Sequence, residues 1–207
     1  RQQMTDLLYI PPLGGGIKDL YEAGQHTRLL EHYLPVYSKV FDHVYIMSYF
    51  DENLEDDIKP SEGALKLPAN ITLLKNSKKL HRYLYAFLFP LIYKKQLANI
   101  RTIRVSQTTG SLAAFFCNFF LKGFFNLKFN VFTTYGYDYV LFATNRGRLA
   151  TFFARLHQAI AKLSTNTWIT TTEELKVHMA KSLSVNPQKI TLLPNGVDLR
   201  NFNVKHE

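Results

Sequence analysis

Residues 168–198 read WITTTEELKVHMAKSLSVNPQKITLLPNGVD. The run at 168–172, tryptophan followed by β-branched residues, predicts a strand that ends in threonines. Glu173-Glu174 opens a helix predicted over 173–184, and a short loop holding Pro187 ends it. A second strand is predicted over 190–193, closing at Pro194-Asn195-Gly196, a turn signal. Strand, helix and strand in this order make a repeat of a parallel sheet wrapped by helices.

The same alternation continues towards the N-terminus. Further strands are predicted over 7–10, 44–50, 71–74, 103–106 and 129–134. Helices are predicted over 19–40, 79–98 (interrupted by Pro90), 111–125 and 149–163. Gly24 inside the first helix costs about 1 kcal/mol relative to alanine. Residues 51–70 are acidic, contain Pro60 and Pro68, and read as a surface loop. About seven β/α repeats in sequence predict an α/β fold with a doubly wound, mainly parallel, Rossmann-like sheet.

Composition narrows the function classes. The chain has 207 residues, 46% of them hydrophobic and 20% charged, enough for a large core. Its net charge of +9 favours an anionic partner: a phosphorylated small molecule, an anionic membrane surface or nucleic acid. The single cysteine, Cys117, lies in the apolar run AAFFCNFF and reads as a buried hydrophobe, so no disulfide framework or cysteine-based zinc site is expected. No signal peptide is evident at RQQM, and no apolar stretch reaches the ~18 residues a membrane span needs.

Three features could carry chemistry. Gly14-Gly15-Gly16 sits between the first strand and first helix, where glycines let a phosphate or sugar approach the backbone and a helix N-terminus favours anions; an ordinary flexible turn explains it equally well. GGGIKD lacks both the G-x-G-x-x-G pattern of dinucleotide sites and the G-K-[ST] of a P-loop. The stretch 75–104 has Lys78, Lys79 and Arg82 at one end, Lys94 and Lys95 at the other, and aromatic residues between. That arrangement suits peripheral contact with an anionic membrane, or a core helix with solvated ends. Residues 146–162, RGRLATFFARLHQAIAK, form a second basic amphipathic stretch. Seven histidines show no metal-ligand spacing, and G-x-S-x-G is absent.

On Thr170–Thr172, Lys189-Ile190, Pro194–Asp198 and Phe202, the C-terminal segment resembles the end of the N-terminal domain in retaining GT-B glycosyltransferases, notably family 4. The first strand with its glycine loop is similar to that family's first β/α unit, and the strand ending at Tyr135-Gly136 stands where the family often has His-Gly. The resemblance implies the N-terminal half of a GT-B enzyme: an acceptor-side domain over 1–200, with 201–207 starting the hinge to a donor domain. It implies transfer of a hexosyl group from a nucleotide-sugar to a saccharide or lipid-linked acceptor, in polysaccharide or glycoconjugate synthesis. It further implies no metal, no other cofactor, no nucleic acid, and a cytoplasmic location extending to the inner face of a membrane. Gly14, Gly15, Gly16, Gln107, Tyr135, Gly136, Asp138, Thr172, Glu173, Asn195 and Gly196 would contact donor or acceptor. The catalytic group is left unassigned, and this half alone is expected to be inactive. Two alternatives stay open: a non-catalytic module of the same fold that binds a sugar or lipid headgroup, and a basic nucleic-acid-binding domain.

Overall fold

The computed structural model describes residues 5–23, 28–53, 68–126 and 129–194. Seven strands form a single parallel sheet: β1 (Asp6–Ile10), β2 (Val44–Ser48), β3 (Ile71–Lys75), β4 (Ile100–Val105), β5 (Asn130–Tyr135), β6 (Thr167–Thr170) and β7 (Ile190–Leu192). Their spatial order is β3-β2-β1-β4-β5-β6-β7. The chain builds outward from β1 to β3, returns to the centre, and builds outward again from β4. This is the doubly wound, Rossmann-like α/β fold that the alternation predicts.

Helices cover both faces, and β1 shows why its sequence is apolar throughout. Leu7 and Tyr9 point to one face, against Ile17, Leu29, Leu30 and Leu34. Leu8 and Ile10 point to the other, against Tyr85, Phe89, Ala113 and Cys117. Side chains alternate along a strand, so only a strand covered on both faces is buried at every position. Cys117 is fully buried, as expected, and burial pushes its thiol pKa upward. A third cluster, built on Tyr135, Trp168, Met179 and Ile190, closes the β6–β7 end.

The helices are α1 (Ile17–Glu22), α2 (Leu34–Val40), α3 (Arg82–Ile92), α4 (Ser111–Phe125), α5 (Tyr139–Thr144), α6 (Arg148–Ser164) and α7 (Glu173–Ser182). The single helix expected over 19–40 is divided. Residues 24–27 lie outside the described residues; a π-type turn, Arg28–Tyr33, then leads into α2, whose first turn holds Pro35. Proline lacks an N–H and is tolerated there because first-turn N–H groups have no intrahelical acceptor. The helix expected over 79–98 is shorter. It starts at Arg82, carries Pro90 in its last turn, and gives way to a 3-10 turn at Gln96–Asn99. Helix α5 was not expected: six residues are too few to show a period.

Candidate functional site

In an open parallel sheet, ligands bind beyond the carboxyl ends of the strands, at the point where strand order reverses. Here that point lies between β1 and β4. The loops after these strands are joined. Leu13 N–H donates to Thr109 Oγ1 at 3.3 Å across them, while within the β1 loop Gly15 N–H donates to the Pro12 carbonyl at 2.9 Å. Gly110 makes the close approach possible, because a Cβ there would run into the Pro11 carbonyl oxygen.

A narrow crevice of ≈ 10 Å³, room for about one water, opens beside this junction. Gln107, Thr108 and Thr109 from the β4 loop line one side, and Thr134, Gly136, Tyr137 and Tyr139 from β5 and its loop line the other. Two of the expected site residues, Gln107 and Gly136, are thus brought together. The lining is rich in hydroxyl and amide groups, the chemistry that pairs with sugar hydroxyls.

Behind the crevice wall, a chain of ring contacts runs from Tyr139 through His157 and Tyr83 to Arg82. Gly14 has φ +84°, in the region that favours glycine, and a Cβ there would lie 3.3 Å from Arg82 Cδ. The Arg82 stem therefore runs over the glycine loop, and its guanidinium lies 5.4 Å from the centre of the Tyr83 ring. Tyr83 stacks on His157 with centroids 6.3 Å apart and planes 12° apart. His157 in turn lies 6.5 Å from Tyr139. Burial first, and the Arg82 charge second, hold the His157 pKa below the ordinary 6.5, so its ring is neutral at pH 7. Thr134 Oγ1 and His157 Nδ1 are buried with no hydrogen-bond partner among the described residues.

Other expected site residues have different work. The N-terminus of α1 is already occupied: Ile17 N–H and Lys18 N–H donate to the Glu52 carboxylate at 3.0 and 2.8 Å. Gly16 leaves room for this, since a Cβ there would come within 2.9 Å of Glu52 Oε1 and 2.7 Å of Ser48 Oγ. The expected anion position at the glycine loop is therefore corrected. An internal carboxylate neutralises α1, and the loop's positive partner is Arg82. Gly15 packs against Pro11 and Pro12 within its own turn.

Tyr135 offers no hydroxyl to the crevice. Its side chain is fully buried, edge-on to Trp168 and stacked near His178, and burial drives its pKa up. Strand β5 turns alternate residues to opposite faces, so Thr134 takes the crevice side instead. Asp138 caps α5, accepting from Val140 N–H and Leu141 N–H at 3.0 Å each, and its other oxygen lies 3.1 Å from His178 Nε2. Thr172 caps α7 by accepting from Leu175 N–H at 3.2 Å, and the exposed Glu173 pairs with Lys176 at 3.3 Å. These three sit at helix ends, Asp138 and Thr172 as caps and Glu173 in a surface pair. Asn195 and Gly196 lie outside the described residues.

The five basic residues expected on a membrane surface do not mark the outer face of one helix. Tyr85, Ala86, Phe89 and Pro90 of α3 are core. Arg82 covers the glycine loop. Lys79 borders a hollow of ≈ 430 Å³ with Lys18, Asp51 and Asn76, at the ends of β2 and β3. Lys78 lies in the turn before α3, and Lys94 and Lys95 lie in the turn after it.

No family model and no curated protein matches the sequence. Solved structures with the same fold do match. Anabaena HepE, crystallised in complex with UDP and glucose, superposes with a TM-score of 0.52 at 12% identity. The match covers 96% of this chain and 46% of HepE, so the chain spans about half of that protein. Two short-chain dehydrogenase/reductase structures from Veillonella parvula, one with NADP, superpose with TM-scores of 0.46 and 0.43 at 13% and 14% identity, over 82% of this chain and 70% of theirs. The HepE likeness describes the fold.

Proposed function

We propose that this chain is the acceptor-side half of a GT-B glycosyltransferase of the family 4 type, acting with a nucleotide-sugar donor. The observation that carries the reading is the crevice at the strand-order reversal. It has a hydroxyl- and amide-rich lining, with Arg82 over the neighbouring glycine loop and His157 packed behind Tyr139. The fold likeness supports it, because nearly the whole chain superposes on half of a protein crystallised with UDP and glucose.

In this reading Gln107, Thr109 and Tyr139 hydrogen-bond sugar hydroxyls, and Gly136 admits the sugar close to the backbone. Arg82 stabilises the developing charge of the leaving diphosphate, in place of a metal ion. His157 packs behind Tyr83 and Tyr139 and holds both rings in place. In a GT-B enzyme of this type, a second α/β domain supplies most donor contacts. The acceptor is a saccharide or a lipid-linked saccharide, and the reaction belongs to polysaccharide or glycoconjugate synthesis.

The test is release of nucleoside diphosphate from a panel of nucleotide-hexoses by the full-length protein. Turnover is expected, with Gln107→Ala and Arg82→Ala each lowering kcat/KM at least about tenfold, the loss of one positioned polar contact. Absence of turnover with every donor and acceptor mixture, or full activity in both variants, would remove the reading.

A further inference from the structure

Helix α6 is built inside out. Its buried face is Ala154, His157, Gln158, Ala161 and Ser164, small or polar. Its outward face is Leu149, Phe152, Phe153, Leu156 and Leu163, spaced by three, four and seven, which is one stripe of a helix. Leu149 is 71% exposed and Leu163 76%. A helix that merely covered its sheet would turn these residues inward.

The stripe has neighbours. Helices α4 and α5 both pack against α6. Phe119 of α4 is 66% exposed, and Phe124 of the same helix is also exposed. Leu141 and Phe142 of α5 complete the exposed set. Solvated monomers seldom leave so much apolar surface uncovered on adjoining helices.

Charge selects the occupant. Arg148, Arg155 and Lys162, seven residues apart, run as a column along one edge of the stripe. The Arg146 guanidinium lies 4.6 Å over the Phe142 ring. Across residues 77–172 there are thirteen lysines and arginines, and the one acidic residue is Asp138, already engaged at the N-terminus of α5. A two-fold dimer through this face would bring like-charged columns together. An anionic lipid surface satisfies both features, taking the rings into the acyl boundary and the basic column among headgroups.

We propose that the outward face of α6, with the exposed ends of α4 and α5, docks peripherally on an anionic bilayer. The surface expected from the basic residues around α3 thus shifts to α6. The opposite face of α6 carries His157, which touches Tyr83 and Tyr139 beside the crevice. Docking therefore holds the crevice next to the bilayer. This deepens the glycosyltransferase reading, on which the clause rests, by favouring a lipid-linked acceptor over a free saccharide.

The experiment is vesicle flotation of the chain with phosphatidylcholine alone and with ~30% phosphatidylglycerol, at low salt and at about 0.5 M salt. Binding is expected only to anionic vesicles, weakened by salt. Reversing the column (R148E, R155E, K162E) should lower partitioning at least about tenfold, as should L149S, F152S and L163S together. Each substituted side chain is exposed, so thermal unfolding and circular dichroism should match the parent chain. UDP-glucose titration of the crevice should be unchanged in both variants, which separates failure of this surface from failure of the crevice. Equal binding to neutral and anionic vesicles, parent-like binding by both variants, or a dimer in light scattering that the apolar variant abolishes would overturn the proposal.

Discussion

Glu52 shows how a single carboxylate can redefine a glycine loop. It is buried, and it accepts from two backbone N–H groups at the start of α1. Glu52→Ala leaves both donors without a partner inside the protein. The expected loss is about 1–3 kcal/mol, read as a lower midpoint in urea unfolding with an unchanged slope. Glu52 falls within an acidic run, 51–57, whose composition announces a loop and hides this one residue's role. Gly110 is a sharper case. A methyl group there meets the backbone oxygen of Pro11, which has no rotamer to yield, so Gly110→Ala should cost about 1–3 kcal/mol or shift the β1 and β4 loops apart. His157 adds a pH dependence. Its folded pKa lies below the ordinary value, so the unfolded chain binds more protons between the two values. Its contribution is complete above pH 6.5 and is lost as pH falls through the folded pKa. His157→Gln should remove that component of the slope in urea midpoints measured between about pH 5 and 7. Unchanged pH dependence in the variant would show that another group titrates there.

Elements differ in how visibly they are written. Strands β1 and β2 declare themselves as short apolar runs because both faces of the central sheet are buried, while the edge strand β3 is only partly buried. Strand β4, predicted from 103, begins at Ile100, since Arg101 and Thr102 interrupt its apolar pattern. Helix α5 depends on its cap more than its period: Asp138→Ala should cost about 1 kcal/mol in chemical unfolding, the usual price of an N-cap. Helix α6 was legible as amphipathic and basic, but its orientation was not. The pattern LATFFARLHQAIAK carries an apolar stripe and a polar stripe, and periodicity cannot say which one faces the sheet. The neighbours decide it. Tyr83 from α3 and Tyr139 from α5 meet His157, and that contact turns the phenylalanines outward.

At the scale of the molecule, alternation of strand and helix was enough to predict a doubly wound parallel sheet, because handed crossovers leave few other ways to join parallel strands. The order β3-β2-β1-β4-β5-β6-β7 follows that logic and puts the reversal between β1 and β4. The candidate site was legible in part. Gln107 and Gly136 sit at strand ends and line the crevice. Tyr135, Asp138, Thr172 and Glu173 also sit at strand ends. Strand ends are where helices begin, however: Tyr135 went to the core, Asp138 and Thr172 to caps, and Glu173 to a surface pair. Arg82 over the glycine loop and His157 behind Tyr139 come from helices distant in sequence, which no spacing rule connects. The most direct test of a sugar site between the β4 and β5 loops is a nuclear magnetic resonance titration of the chain with UDP-glucose and with glucose. The prediction is weak, saturable binding with shifts centred on Gln107, Thr109, Gly136 and Tyr139. Shifts confined to other strand ends, or none at millimolar ligand, would contradict it.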